Sequence, residues 1–454
     1  VKLSPTAGLV LADPVYARLK EHVIEATGLA YYSDKDLDLA ERLARRLAQV
    51  GLLECASYLA LLAAPGTTEL DALIEDLTIG ETFFFRHREL FDALRDVVLP
   101  DLVERNRASR QLRIWSAGCS TGAEPYSLAI LCRRDLGALL AGWDVRIVGT
   151  DINRRFLSRA QAAEFDDWAL RATPDEVRRA CFLPRGKTWE LRPEYRAGVS
   201  FQYHNLVTDH FPSRVNDLFA FDLILCRNVT IYFNAAIVRR IIGHFHASLV
   251  DGGWLLVGHS EPNMELFQEF RAVNAPGAVL YQKQPVSPAP VALWQPAPAW
   301  SAPSFTWAEP APAPAMPPPT APSQDVAAIR TLADQGAWEE AARRCAEALA
   351  ADRLNPLVYF YHGLVLQQLG RHTDAEQALR GALYLDRGFV LAHYCLGLLL
   401  QKQGERVRAE RSFRNVLDLL ARAEPAQVFA EGDGITAAEL TRLAEMNLEV
   451  LEQT

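Results

Sequence analysis

The residues best suited to chemistry stand where apolar runs end. "IWSAGCSTGAEPYSLAI", Ile114–Ile130, passes from apolar residues through Gly118 and Gly122 to Glu124, then to apolar residues at helical spacing. "DVRIVGTD" ends in Asp151, the junction after Phe201 leads to Asn205 and Leu206, and "FDLILCRN" ends in Arg227 and Asn228. A glycine turn between strand and helix brings backbone N–H groups close to a ligand. This turn holds a carboxylate and lacks the Gly-Lys-Ser/Thr of a triphosphate loop, and the GxGxxG spacing of a dinucleotide site is missing too. An acid ending the second strand can accept both hydroxyls of a ribose. Glu124 also stands where a carboxylate favours a helix N-terminus, a role compatible with ligand binding.

These features describe a ligand with a ribose, no phosphate and a positive end. S-adenosylmethionine, with its sulfonium and α-amino group, meets each condition. The elements that must position it follow from periodicity. From Gly80 to Gln284, short apolar runs ("LRIWSAG", "DVRIVGTD", "FDLILCRN", "GWLLVGH") alternate with helical stretches. That is the pattern of an α/β fold whose parallel sheet is covered on both faces, and such sheets bind ligands beyond the carboxyl ends of their strands. Residues up to about Leu77 read as helices; "LDLAERLARRLAQVGL" puts leucines on one face and Arg42, Arg45 and Arg46 on the other.

The chain of 454 residues suggests about three domains. Its net charge of −9 argues against a general nucleic-acid binder, whose binding domain would be basic. The seven scattered cysteines form no CxxC pair or metal-like cluster, which fits a reducing cytoplasm better than a disulfide framework. The longest apolar run, Leu52 to Ala64, is too short to span a membrane, and no signal peptide is expected.

Thirteen of the 26 prolines lie within 285–322, a Pro/Ala-rich segment read as an extended linker. It also holds Trp294, Trp300, Phe305 and Trp307, aromatics able to dock on a neighbouring surface. Beyond it, Gly336, Gly370 and Gly404 recur every 34 residues, as do Ala341, Ala375 and Ala409, Leu349, Leu383 and Leu417, and the pair Gly363 and Gly397. The unit reads as helix, glycine turn, helix, and resembles the tetratricopeptide repeat, with three copies from Asp325 to Ala423 and a capping helix from Thr436 to Leu451.

Five ordered motifs, "GETFFFRH" (Gly80–His87), "SAGCSTGAEPYSLAI", "GTDIN" (Gly149–Asn153), "FDLILCRNVTIYF" (Phe221–Phe233) and "GHSE" (Gly258–Glu261), together resemble the chemoreceptor glutamate methyltransferase (CheR-type) family over roughly residues 10–284. With the appended repeats the chain resembles the biofilm-associated, Wsp-type branch of that family. The resemblance implies a class I, Rossmann-like S-adenosylmethionine-dependent methyltransferase. Its expected parts are an N-terminal helical receptor-docking domain (1–77), a methyltransferase domain (78–284) with a small β insert at about 182–203, the linker (285–322) and an all-α repeat domain (323–454). Arg86 and Tyr232 would be catalytic. Gly80 (through its backbone) and Gly118 would contact the cofactor, Thr82 and Arg86 the cofactor or the reacting carboxylate, Glu124 the methionyl end, Asp151 the ribose, and Asn205, Leu206, Arg227 and Asn228 the adenosine side. His259 and Glu261 read as structural, and Thr230 departs from the family's usual aliphatic residue.

The family's substrate is a glutamate on the cytoplasmic helical bundle of a chemoreceptor-like protein; the products are a methyl ester and S-adenosylhomocysteine. No metal is implied. Arg42, Arg45 and Arg46 would dock on that acidic bundle, the β insert would work without a receptor tail peptide, and the repeats would bind a further protein partner. Two other classes stay open: a scaffold with a degenerate methyltransferase domain, which the intact strand-end residues oppose, and a methyltransferase for another protein or a small molecule, which "GETFFFR" and "RNVTIYF" oppose.

Overall fold

The apolar runs become strands of one sheet. The computed structural model describes residues 4–64, 67–263, 265–284 and 324–453. Its strands are β1 (Gln111–Ala117), β2 (Asp144–Asp151), β3 (Glu164–Phe165), β4 (Phe182–Arg185), β5 (Thr188–Leu191), β6 (Val199–Tyr203), β7 (Phe221–Cys226), β8 (Leu249–Val257), β9 (Phe270–Ala275) and β10 (Ala278–Lys283). Seven form a sheet in the order β6-β2-β1-β7-β8-β10-β9. The first five of that order run parallel, and β10 and β9 add an antiparallel edge. The chain fills one side of β1 first and then returns to the other, so the strand order reverses between β1 and β7, where a crevice opens at the strand ends.

Both faces of the sheet are covered, which is why β7 is apolar and buried at nearly every position. On one face Leu99, Leu102, Leu128 and Ala129 pack over Leu112, Ile114 and Leu223. On the other, Val238, Ile241 and Phe245 of the helix Ala235–Ser248 surround Trp115, whose Nε1–H donates to Thr150 Oγ1 at 3.0 Å.

The insert differs from expectation. β3, β5 and β4 make a separate three-stranded sheet, so the insert runs from Glu164 to Leu191. Val199–Tyr203, expected inside it, is instead the edge strand β6 of the main sheet, in register with Ile147–Asp151 of β2. The alternation in "VSFQY" suits a hairpin or a half-buried edge strand equally, and local pattern does not decide between them.

Five helices, Pro5–Ala12, Tyr16–Thr27, Asp36–Val50, Cys55–Leu62 and Glu69–Leu77, pack around Leu39, Leu43, Leu47 and Tyr58. Two of the three arginines expected on the outer face turn inward. Arg46 makes a paired contact with Glu69 (2.9 and 2.7 Å), which also accepts from the Tyr58 hydroxyl at 2.5 Å, and Arg42 donates to the carbonyl of Asp76. A neighbouring helix with its own acids captures them, and only Arg45 stands exposed.

The repeats form three helix pairs: Gln324–Asp334 with Trp338–Ala351, Pro356–Gln368 with His372–Leu385, and Val390–Lys402 with Arg406–Leu420. Gly336, Gly370 and Gly404 stand at φ +70°, +71° and +76°, the left-handed conformation that a helix-ending turn needs and glycine adopts without strain. Ala341, Ala375 and Ala409 are fully buried. A short hairpin, β11 (Val428–Phe429) and β12 (Ile435–Thr436), leads into the final helix Ala437–Gln453. The linker, with its tryptophans, lies outside the described residues.

The repeats dock on the domain built around the seven-stranded sheet. The segment 213–220, closed by a bridge between Ser213 and Leu218, packs against them. Val215 joins the repeat core, and Phe219 and Ala220 pack on Trp338, Ala341 and Val365. Buried charges line this seam. Arg113 of β1 reaches Gln368 and donates to Asp217 at 2.8 Å, and Gln368 Nε2 donates to the same Asp217 oxygen at 2.7 Å. Arg214 pairs with Asp433 and Asp334, and Arg330 reaches Asp433 at 2.8 Å.

Candidate active site

The turn after β1 folds over the tip of β2. Gly118 has φ +76°, and a Cβ there would lie 2.4 Å from Val229. The N–H groups of Gly118 and Cys119 both donate to the carbonyl of Thr150 at 2.8 Å. Ser120 N–H donates to Asp151 Oδ2 and Asn153 N–H to Asp151 Oδ1, each at 2.8 Å. Asp151 is buried, and that burial pushes its carboxyl up to about 6 even though the N–H groups of Asn153, Ser120 and Ile152 oppose the shift.

At the crevice between β1 and β7, Glu124 is held from two sides. Ser116 Oγ donates to Oε1 at 2.8 Å and Arg227 Nη1 to Oε2 at 2.7 Å. The second guanidinium nitrogen of Arg227 donates to the carbonyl of Arg86 at 2.6 Å and lies 2.9 Å from His87 Nδ1. Arg227 thus belongs with Glu124 rather than with Asn205 and Leu206, because β7 and β1 are neighbours and their ends meet. Burial first, then Arg227 and His259, push the His87 imidazole down to about 4, so it is neutral at pH 7.

Glu261 supports the loop after β7. Its two oxygens accept from the N–H groups of Asn228 (2.8 Å), Val229 (3.0 Å), Thr230 (2.9 Å) and Gly258 (2.6 Å), and from the Thr230 hydroxyl at 2.8 Å. The threonine that departs from the family pattern therefore supplies one more donor to this carboxylate. The same loop carries Tyr232, whose ring stands edge-on to Tyr31 at 5.9 Å. Arg86 is half-buried; its Nη1 donates to the carbonyl of Glu81 at 2.8 Å, and its Nε is buried without a partner.

The strand tips, the N-terminal helices and the loop after β7 border one cleft. Thr82, Arg86, Gly118, Glu124, Asp151, Asn205, Leu206, Arg227, Asn228 and Tyr232 line it. Gly80 does not: its carbonyl accepts from Ser120 Oγ at 3.2 Å, and a Cβ there would lie 2.5 Å from the Phe156 ring. Sequence reasoning missed Tyr31, Ser120 and His204, which also line the cleft. His204 adjoins Asn205 at the tip of β6, and that adjacency was the available signal. Tyr31 comes from the N-terminal helical domain, whose place over the strand tips no local pattern encodes.

A scan against family models finds the CheR methyltransferase, SAM binding domain over residues 80–279. A chemotaxis protein methyltransferase of Listeria innocua is 40% identical over 192 residues, 42% of this chain and 69% of that protein. Chemotaxis protein methyltransferase 1 of Pseudomonas aeruginosa is 33% identical over 261 residues, 56% of this chain and 92% of that protein. The chain belongs to the chemotaxis protein methyltransferase family. Its cofactor is S-adenosylmethionine, as in the domain it matches. Among solved structures, the Yersinia enterocolitica type III secretion chaperone SycD with a peptide of the translocator YopD aligns at 16% identity and a TM-score of 0.26, covering 29% of this chain and 91% of that one; a likeness this slight carries no weight for fold or partner.

The cleft's donor set fits that cofactor. Asn228 Oδ1 and His204 Nε2 are buried with no partner in the protein, and both residues line the cleft. Buried polar atoms of this kind are normally satisfied, and a ligand rich in amino and hydroxyl groups satisfies them. Burial pushes the His204 imidazole down to about 4, leaving one ring nitrogen as a neutral acceptor or donor. Among the described residues, no three His, Cys, Asp or Glu side chains gather to hold a metal ion, and no helix is long and apolar enough to cross a membrane.

Proposed function

We propose that the protein is a protein-glutamate O-methyltransferase, acting in the cytoplasm on glutamate carboxylates in the helical bundle of a chemoreceptor-like signalling protein. The Wsp-type pairing of this domain with repeats favours a role in surface sensing and biofilm formation. One observation carries the reading of the reaction: each carboxylate lining the cleft is already engaged. Glu81 pairs with Arg171, Glu124 with Arg227, and Asp151 accepts backbone N–H groups. Such a site offers no unengaged carboxylate as general base and suits a nucleophile that arrives as an anion. A glutamate side chain, with pKa about 4.3, is such a nucleophile at neutral pH.

S-adenosylmethionine, when bound, supplies an electrophilic methyl group on a sulfonium. The chain's task is alignment, which in favourable cases contributes about 7–11 kcal/mol. In this reading Asp151 accepts the ribose hydroxyls. The carboxylate of Glu124, half-neutralised by Arg227, faces the cationic end. Arg86, with its ε nitrogen unpartnered, meets the incoming carboxylate. A tight bidentate clamp would blunt that nucleophile, and the bond from Nη1 to the Glu81 carbonyl leaves Arg86 fewer donors to clamp with. Tyr232 borders the methyl position.

The deciding experiment mixes the protein with labelled cofactor and purified receptor cytoplasmic fragments, then looks for base-labile methyl and maps modified glutamates by mass spectrometry. Label on glutamate supports the proposal. Label on another side chain, or on a small molecule alone, overturns it.

A further inference from the structure

The wall of the cofactor cleft formed by His204, Asn205 and Leu206 is gripped from outside the methyltransferase domain. Asn205 Nδ2 donates to the carbonyl of Ala26 in the N-terminal helices at 3.1 Å. Behind the wall stands Asp209, whose side chain is 8% exposed. Its Oδ2 accepts from Asn205 N–H at 2.8 Å and lies 3.7 Å from His204 Nδ1, and its own N–H donates to the Asn205 carbonyl at 2.9 Å. Its Oδ1 accepts from Thr208 Oγ1 at 3.2 Å and from Nη2 of Arg442. Arg442 belongs to the last helix, Ala437–Gln453, more than two hundred residues away in sequence. Its guanidinium also lies over the Tyr203 ring, 5.6 Å from the centroid, and Arg154 lies over the same ring at 4.7 Å.

We propose that Arg442 of the repeat domain is a positioning residue for the cofactor cleft, acting through Asp209 on the backbone of His204–Leu206. The ion pair fixes the rotamer of Asp209, and so the oxygen that holds Asn205 N–H. Asn205 in turn bridges to the N-terminal helices. A charged partner strengthens such a bond and, in a buried setting, limits its alternatives. The repeat domain is then part of the methyltransferase's cofactor site, and whatever loosens its last helix loosens cofactor binding.

The inference rests on the cofactor occupying this cleft, so the test separates the two. The full chain is titrated with S-adenosylhomocysteine by calorimetry. Absence of binding by the wild type sinks the cleft reading itself. Given binding, Arg442→Ala is expected to weaken it about tenfold, the scale of one charge-assisted hydrogen bond. The KM for S-adenosylmethionine rises in proportion while kcat at saturating cofactor stays within about twofold, and Arg442→Lys recovers much of the loss because it keeps the charge. Asp209→Asn gives a second route: the double variant with Arg442→Ala binds no more weakly than the weaker single variant, as for one shared interaction. Undiminished binding by Arg442→Ala, a fall in kcat rather than a rise in KM, or fully additive losses overturns the link.

Discussion

The cofactor cleft and the seam under the repeats are both made where charged side chains meet the methyltransferase sheet, yet they are finished differently. In the seam, Arg113, Asp217 and Gln368 bond one another and Arg214 is matched by Asp433 and Asp334, while the Nε of each of these arginines is buried without a partner. In the cleft, Asn228 Oδ1, His204 Nε2 and Arg86 Nε are buried and unpartnered. The seam's unpartnered atoms belong to guanidiniums whose other nitrogens are engaged across the contact. The cleft's include atoms of two neutral side chains, Asn228 and His204, that line open space with room for a ligand.

That contrast can be broken by breaking the seam. Arg113→Ala removes a buried guanidinium from β1 and leaves Asp217 with Gln368 and with Lys402 at 3.8 Å; the loss in unfolding free energy is expected at about 3 kcal/mol, measured by denaturant titration. In the cleft the equivalent test should move function and spare stability. Arg86→Ala is expected to lower methyl transfer about a hundredfold, with S-adenosylhomocysteine affinity within about threefold of wild type, read by a radiolabel assay and calorimetry. Unchanged turnover would refute the role of Arg86.

A third prediction sharpens the comparison through pH. Burial raises the Asp151 carboxyl to about 6, above its unfolded value, so the ligand-free fold favours the protonated acid and loses that contribution as pH rises from about 4 to 6. Ribose hydroxyls need the ionised form. Cofactor affinity should therefore increase with pH through about 6 and level off above 7, and at pH 5 be about tenfold weaker than at the plateau. Asp151→Asn should abolish this dependence. The smallest effect belongs to the repeats: Gly404→Ala, at φ +76° with open space around the added methyl, should cost about 1 kcal/mol of stability and leave methylation unchanged.

The strand tips were legible in the sequence because a buried parallel strand must be apolar and its end must not be. Gly118, Asp151, Asn205 and Asn228 all stand at such transitions. The repeat was legible because 34-residue spacing repeats local geometry, and the positive φ of Gly336, Gly370 and Gly404 is the same turn three times. What escaped was non-local. Arg42 and Arg46 look solvated on a helical wheel until the helix Glu69–Leu77 brings Glu69 and the Asp76 carbonyl to meet them. Arg227 reads as an adenosine contact until β7 lies beside β1 and Glu124 claims it. The edge strand β6 reads as part of the insert because pairing with β2, not its own pattern, makes it a member of the sheet.

The segment 213–220 packed on the repeat helices has a further consequence for the face it covers. Since both belong to one polypeptide, the occupant is presented at an effective concentration on the order of millimolar. Any free peptide seeking that face competes with a resident that never diffuses away, and its apparent affinity is divided by the preference for the docked state. Casual visitors are thereby screened out, and only a ligand of high intrinsic affinity or great local abundance gains admission.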